Sequence, residues 1–208
     1  MTTKIKICGM QQPENIKAVA AFHPDYMGFI FYPKSPRFAG NLDPAIVKLL
    51  PNTICKVGVF VNESTENILA TAFKYHLNAI QLHGEESPAI CEAIRKEGLE
   101  VIKAFSVATT ADLQATSLYQ HACDFLLFDT KTPLFGGSGQ QYNWEILQSY
   151  NGRVPFFLSG GIGAEDITRL VAFHHPLLHA VDVNSRFETS PGEKDVMALT
   201  HFINELKH

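Results

Sequence analysis

Eight short apolar runs recur along this 208-residue chain, each followed by a segment that opens like a helix, and no other feature limits the fold so strongly. The runs lie near Lys4–Cys8, Tyr26–Phe31, Ile54–Phe60, Ala79–His83, Glu100–Val107, Phe125–Asp129, Val154–Ser159 and Ala180–Asn184. Most are too short for independent helices, and several are rich in Val, Ile and Phe, as strands buried on both faces should be. Between them, Gln12-Pro13-Glu14, Asn41-Leu42-Asp43-Pro44, Asn62-Glu63-Ser64-Thr65-Glu66 and Glu86-Ser87-Pro88 place Pro or an acid in a first helical turn. Thr109-Thr110-Ala111-Asp112, Gly163-Ala164-Glu165-Asp166 and Pro191-Gly192-Glu193-Lys194-Asp195 are expected to open the later helices in the same way. An eightfold strand–helix alternation closes into a parallel (β/α)8, or TIM, barrel. At about 26 residues per unit the repeat is short for this architecture. No linker or composition shift divides the chain, so residues 1–208 are expected to form a single domain.

Composition narrows the function classes. With 46% hydrophobic and 18% charged residues, the chain carries ample apolar surface for one core. The net charge is −4 and no face is built from Lys and Arg, so nucleic acid is not an expected partner. Met1-Thr2-Thr3-Lys4-Ile5-Lys6 lacks the apolar core of a signal peptide, and no run approaches the roughly 18–20 apolar residues that span a bilayer. No membrane partner is therefore expected. Cys8, Cys55, Cys91 and Cys123 are widely separated, without CxxC pairs or His/Cys metal spacing. A reducing cytoplasm, with free thiols and no structural metal, fits this pattern.

Barrels of this kind carry their chemistry on the loops after the strands. Cys8 ends the first run and Asp129 the sixth, and glycine-rich turns follow the sixth and seventh. A thiol and a carboxyl on one rim, beside glycine loops that can crowd an anion, suit proton transfer on a sugar phosphate. Gly160-Gly161 and Asn184-Ser185 occupy the places where such barrels commonly hold phosphate. The two longest connections are 32–40 and 130–139, and the Gly136-Gly137-Ser138-Gly139 stretch of the second is expected to act as a lid that adds N–H groups on closing. His83 faces the same rim as a pocket residue. Asp182 either orients the phosphate loop or pairs with a barrel lysine. Lys6 lies two residues before Cys8 on the same strand face, roughly 6–7 Å away. It either helps hold Cys8 as thiolate or, with Lys56 and Lys103, fills the barrel floor with paired charges.

The chain resembles the phosphoribosylanthranilate isomerase family along nearly its whole length. The resemblance is carried by Lys6-Ile7-Cys8-Gly9, the run from Gly28 to Arg37, Val57-Gly58-Val59-Phe60-Val61-Asn62 and Gln81-Leu82-His83-Gly84-Glu85. Further along it rests on Phe128-Asp129-Thr130-Lys131-Thr132-Pro133, Gly136-Gly137-Ser138-Gly139, Leu158-Ser159-Gly160-Gly161 and Asp182-Val183-Asn184-Ser185. It implies a phosphosugar-binding (β/α)8 barrel, a monomer or homodimer, acting on a small-molecule phosphosugar without cofactor or metal. The implied reaction is the Amadori rearrangement of N-(5-phosphoribosyl)anthranilate to 1-(2-carboxyphenylamino)-1-deoxyribulose 5-phosphate, the third step of tryptophan synthesis from chorismate. The resemblance assigns the general acid to Asp129 and the general base to Cys8. An ordinary thiol is only a few per cent thiolate at neutral pH and an ordinary aspartate is ionised, so both groups need an adjusted proton affinity or a substrate-coupled proton. Arg37 is expected to bind the anthranilate carboxylate through its guanidinium fork. Asn143 stands before Trp144 where the family usually has Asp, a change that a helix cap tolerates.

Two other readings remain, another phosphate-binding barrel enzyme of the tryptophan or histidine pathways and a non-catalytic binding protein. Indole-glycerol-phosphate synthase would want a catalytic lysine pair and an N-terminal extension. The histidine-pathway isomerase pairs aspartates at the ends of strands one and five, where this chain has Cys8 and Ser106 or Val107. A non-catalytic phosphosugar-binding barrel would not need Cys8, Arg37 and Asp129 together.

Overall fold

The eight apolar runs form strands that close on themselves into a barrel. The computed structural model describes residues 3–131, 139 and 141–207. Strands β1 (Lys4–Ile7), β2 (Tyr26–Ile30), β3 (Cys55–Phe60), β4 (Ala79–Leu82), β5 (Glu100–Val107), β6 (Phe125–Thr130), β7 (Phe156–Leu158) and β8 (Leu178–Val183) pair in chain order. All neighbours are parallel, and β8 returns to β1 with Lys6 opposite Asp182.

Helices α1 (Pro13–Ala20), α2 (Pro44–Lys48), α3 (Thr65–Tyr75) and α4 (Pro88–Lys96) follow the first four strands. Proline begins α1, α2 and α4, where its missing N–H costs nothing. The Asp43 carboxylate accepts from Ala45 N–H at 2.9 Å and the Ser64 hydroxyl from Asn67 N–H at 3.2 Å, which caps α2 and α3. Helices α5 (Ile167–Ala172) and α6 (Val196–Lys207) complete the set. Among the described residues no helix is long and apolar enough to cross a membrane.

Three expectations about the connections need correction. Thr110–Tyr119 and Trp144–Ser149 are 3-10 rather than α-helical. In the first, the Thr116 hydroxyl donates to Leu113 O at 2.6 Å and that of Ser117 to Gln114 O at 2.8 Å, local bonds that compete with regular helix. The second is only six residues long, and Asn143 caps it by accepting from Glu145 N–H. Pro191–Asp195 does not open a helix throughout. Glu188–Ser190 (β9) and Glu193–Lys194 (β10) make a small hairpin around Gly192, whose φ of +87° suits glycine, and only Asp195 caps α6.

Alternation along the strands sorts side chains into two cores. Tyr26, Val57, Ala79, Ile102, Ala104, Leu127, Phe157 and Ala180 fill the barrel interior. Ile7, Phe29, Leu82, Val101, Leu126 and Phe128 belong to the larger core that includes apolar helix residues such as Val19, Ile68 and Ile94. This parity overturns the shared lysine floor. Lys6 points inward, whereas Lys103 alternates with the inward Ile102 and Ala104 and pairs outside the barrel with Glu86 at 3.2 Å. Lys56 likewise alternates with the inward Val57 and has no ion pair among the described residues.

Buried Glu86 also accepts from Asn62 N–H at 2.8 Å and Gly84 N–H at 3.0 Å, so it ties the turns after β3 and β4 to Lys103. Glu86→Ala takes the counter-charge from a buried ammonium that is otherwise held by the carbonyls of Leu82, Gly84 and Ala104, and removes the acceptor of two backbone donors. It should cost about 3–5 kcal/mol, read as a lower urea midpoint at unchanged m-value.

Candidate active site

The inward rows continue past the hydrophobic interior and emerge at the C-terminal mouth, around a cavity of about 370 Å³. Cys8, Arg37, His83 and Asp129 line it, as do Gly139, Gly160 and Gly161. Asp182, Asn184 and Ser185 complete the expected residues that line it. Gly136 and Gly137 lie outside the described residues. The ladder extends just beyond the strands at the rim. Cys8 N–H donates to Val183 O at 2.9 Å, His83 N–H to Phe60 O at 2.8 Å and Ser159 N–H to Phe128 O at 2.9 Å. These bonds anchor the backbone from which the side chains project.

Cys8 is nearly buried, and the sulfur occupies space that glycine leaves open on β2. A Cβ on Gly28 would stand 2.7 Å from Cys8 Sγ. Lys6, fully buried one pleat below, donates to Asp182 Oδ1 at 2.7 Å, and Asp182 Oδ2 accepts from the Ser159 hydroxyl at 3.1 Å. Burial pushes the Cys8 thiol above its ordinary pKa, Lys6 pulls against that, and the net direction is up. Burial also opposes the Lys6 charge, but Asp182 and Cys8 together prevail and raise its pKa. Of the two expectations for Asp182, the pairing with a barrel lysine is the one seen, and the cation of that pair stands beside a thiol whose net shift is upward rather than toward thiolate. The other three cysteines are free thiols away from this mouth.

Across the cavity, Asp129 accepts from Thr130 N–H at 2.8 Å through Oδ1, and Oδ2 lies 3.4 Å from His83 Nε2. The ring's other nitrogen lies 2.8 Å from the amide nitrogen of Gln81, a pocket residue that sequence reasoning missed although it shares the inward row of β4.

Arg37 is not a solvated loop charge, being only 8% exposed. Its Nε and Nη2 grip Glu188 at 2.9 and 2.7 Å, which leaves the Nη1 side of the fork without a partner among the described residues. Glu188 also takes the buried Lys194 ammonium at 2.6 Å, and Lys194 donates to Asn184 Oδ1 at 2.8 Å. Burial works against the Glu188 charge, but Arg37 and Lys194 prevail and hold its carboxyl below the usual range. For Lys194 burial prevails and its pKa falls. The hairpin that brings Glu188 and Lys194 here had a signal, the Pro191-Gly192 pair between charged residues, which marks a turn.

The loops after β7 and β8 form the other end. Gly160 has φ +102° and a Cβ there would stand 2.5 Å from Thr130 Oγ1, so only glycine lets this backbone approach β6. Gln141 braces the turn by donating to Gly161 O at 2.9 Å and Asp166 Oδ2 at 2.6 Å. Arg186, also unanticipated, lines the mouth and pairs with Glu165 across the two loops. Among the described residues no group of three or more His, Cys, Asp or Glu could hold a metal ion.

Known proteins match this chain over nearly its full length. The family profile of N-(5'-phosphoribosyl)anthranilate (PRA) isomerase matches residues 5–205. The N-(5'-phosphoribosyl)anthranilate isomerase of Phocaeicola vulgatus is 47% identical over 203 residues, covering 98% of this chain and 97% of that protein. The crystal structure of the Thermotoga maritima phosphoribosyl anthranilate isomerase superposes with a TM-score of 0.87 at 37% identity, covering 99% and 98% of the two chains. A further isomerase structure, solved with reduced 1-(o-carboxyphenylamino)-1-deoxyribulose 5-phosphate, gives a TM-score of 0.84 at 34% identity, with the same coverage. On sequence, barrel topology and coverage alike, the chain belongs to the phosphoribosylanthranilate isomerase family of isomerases.

Proposed function

We propose that the cavity binds N-(5-phosphoribosyl)anthranilate and rearranges it to 1-(2-carboxyphenylamino)-1-deoxyribulose 5-phosphate. Asp129 acts as acid and Cys8 as base, within one domain spanning residues 1–208 that works in the cytoplasm. The observation that carries the reading is the thiol just after β1 and the carboxyl at the end of β6 lining one cavity, with Arg37 and the Gly160-Gly161 turn on its walls.

Asp129 gives its proton to the ribose ring oxygen as the C1′–O bond breaks, leaving an iminium. The Cys8 thiolate then takes the C2′ proton, and the C–H electron pair becomes the C1′=C2′ bond of the enolamine. Tautomerisation moves the 2′-hydroxyl proton to solvent or a site base and returns one to C1′, giving the ketone. Arg37 supplies the free side of its fork to the anthranilate carboxylate, a bidentate match that fixes the aromatic end. The Gly160-Gly161 turn and Asn184-Ser185 offer backbone N–H groups to the phosphate. Each proton-transfer role is worth about 10²–10⁴ in rate.

Turnover measured with substrate generated in situ tests the reading; a well-folded protein without turnover would favour a binding module instead. Cys8→Ser and Asp129→Asn should each lower kcat by about 10²–10⁴ while KM changes little, with folding checked by circular dichroism. Arg37→Lys should raise KM more than it lowers kcat, because an ammonium cannot match the carboxylate at two points. Lys6→Met should push the Cys8 thiol higher still in a thiolate absorbance titration, and the pH at which kcat/KM stops rising should move up with it. An unchanged titration would remove Lys6 from the chemistry.

A further inference from the structure

Gln81 is 1% exposed and sits one pleat below His83 on the inward row of β4. Its two amide atoms have different surroundings. Nε2 stands 2.8 Å from His83 Nδ1, while Oε1 has no hydrogen-bond partner among the described residues. An amide NH2 only donates, so Nδ1 is the bare, accepting nitrogen and the proton of a neutral ring sits on Nε2. Nε2 faces Asp129 Oδ2 at 3.4 Å.

We propose that Gln81 is a positioning residue that holds His83 as the neutral Nε2–H tautomer, with its proton toward Asp129. An imidazolium carries a second proton on Nδ1, which would meet the amide NH2 donor to donor. It forms only when the amide turns over and offers Oε1, and that half-turn also gives the orphaned oxygen a partner. Amide orientation and ring protonation are therefore coupled: nitrogen toward the ring leaves Nδ1 bare, and oxygen toward the ring requires a proton on Nδ1, as the imidazolium and the other neutral tautomer both have. The consequence reaches the reacting atoms. A cationic ring beside Asp129 would favour its carboxylate and oppose its work as an acid, whereas a neutral N–H orients the carboxyl without that penalty. The other charged or titratable groups on the cavity are Cys8 just after β1, Asp182 on β8, Tyr32, Lys34 and Arg37 after β2, and Arg186 after β8. His83 and Gln81 are the cavity's contributions from β4.

This proposal rests on reading Asp129 as the acid, and one arm of its test needs no turnover. In the full chain at neutral pH, ¹⁵N NMR of the His83 ring should report a bare Nδ1 and a protonated Nε2. Gln81→Glu places an obligate acceptor on Nδ1 in nearly the same volume. It should keep His83 charged to higher pH, lower kcat about tenfold or more at little cost in KM, and move the pH profile of kcat. Gln81→Met, which neither donates nor accepts strongly, should mix the two neutral tautomers while folding normally. A wild-type ring protonated on Nδ1 would overturn the proposal. So would a Gln81→Glu protein with wild-type His83 charge and kcat profile. If the wild-type protein shows no turnover, the isomerase reading fails, and the NMR arm still decides the tautomer.

Discussion

The barrel closes where β8 meets β1, and at that seam Lys6 and Asp182, 176 residues apart, are joined at 2.7 Å inside the protein. A buried pair of this kind gives little net stability, because desolvating both charges offsets most of their attraction. Separating it is another matter. A seam formed in another register would leave each charge buried alone, so the pair favours this closure over slipped ones. It also links closure to the cavity, since the same ammonium faces Cys8 and the same carboxylate takes the Ser159 hydroxyl just before the Gly160-Gly161 turn.

A second buried network has the same logic. Glu188 stands between two cations, Arg37 from the loop after β2 and Lys194 from the hairpin after β8. Satisfying Glu188 twice lets the protein keep two positive side chains nearly out of water at the mouth. The hairpin also orders Asn184 through Lys194, so one local turn supports both the Arg37 fork and the loop after β8. Part of the cavity's electrostatics is thus held by residues that do not line it, as Glu188, Lys194 and Lys6 illustrate. The Arg186–Glu165 pair is different: the two side chains are 44% and 56% exposed, and such pairs contribute little to stability.

Much of this was legible in the order of residues. Strand lengths and helix starts pointed to an eightfold barrel, and Pro13, Asp43, Ser64 and Pro88 stand at the helix starts expected of them. Cys8 and Asp129 at run ends, with glycines after the sixth and seventh strands, located the mouth. Short-range signals failed where two local preferences compete. The Thr116 and Ser117 hydroxyls turn an apparent helix into 3-10 backbone, and Pro191-Gly192 makes a hairpin where an acidic first turn was expected.

The order of residues was enough for the alternation and for the chemical types offered at each strand end, because these depend on neighbours one to four residues away. Tertiary structure alone decided which charges meet. Lys6 and Lys103 look alike in sequence, yet one faces inward to Asp182 and the other outward to Glu86. Gln81, Glu188 and Lys194 acquire their roles only once strands distant in the chain are brought within hydrogen-bonding distance. Pairing, burial and the resulting shift of the Cys8 thiol are properties of that three-dimensional neighbourhood, set by barrel closure, which no local pattern encodes.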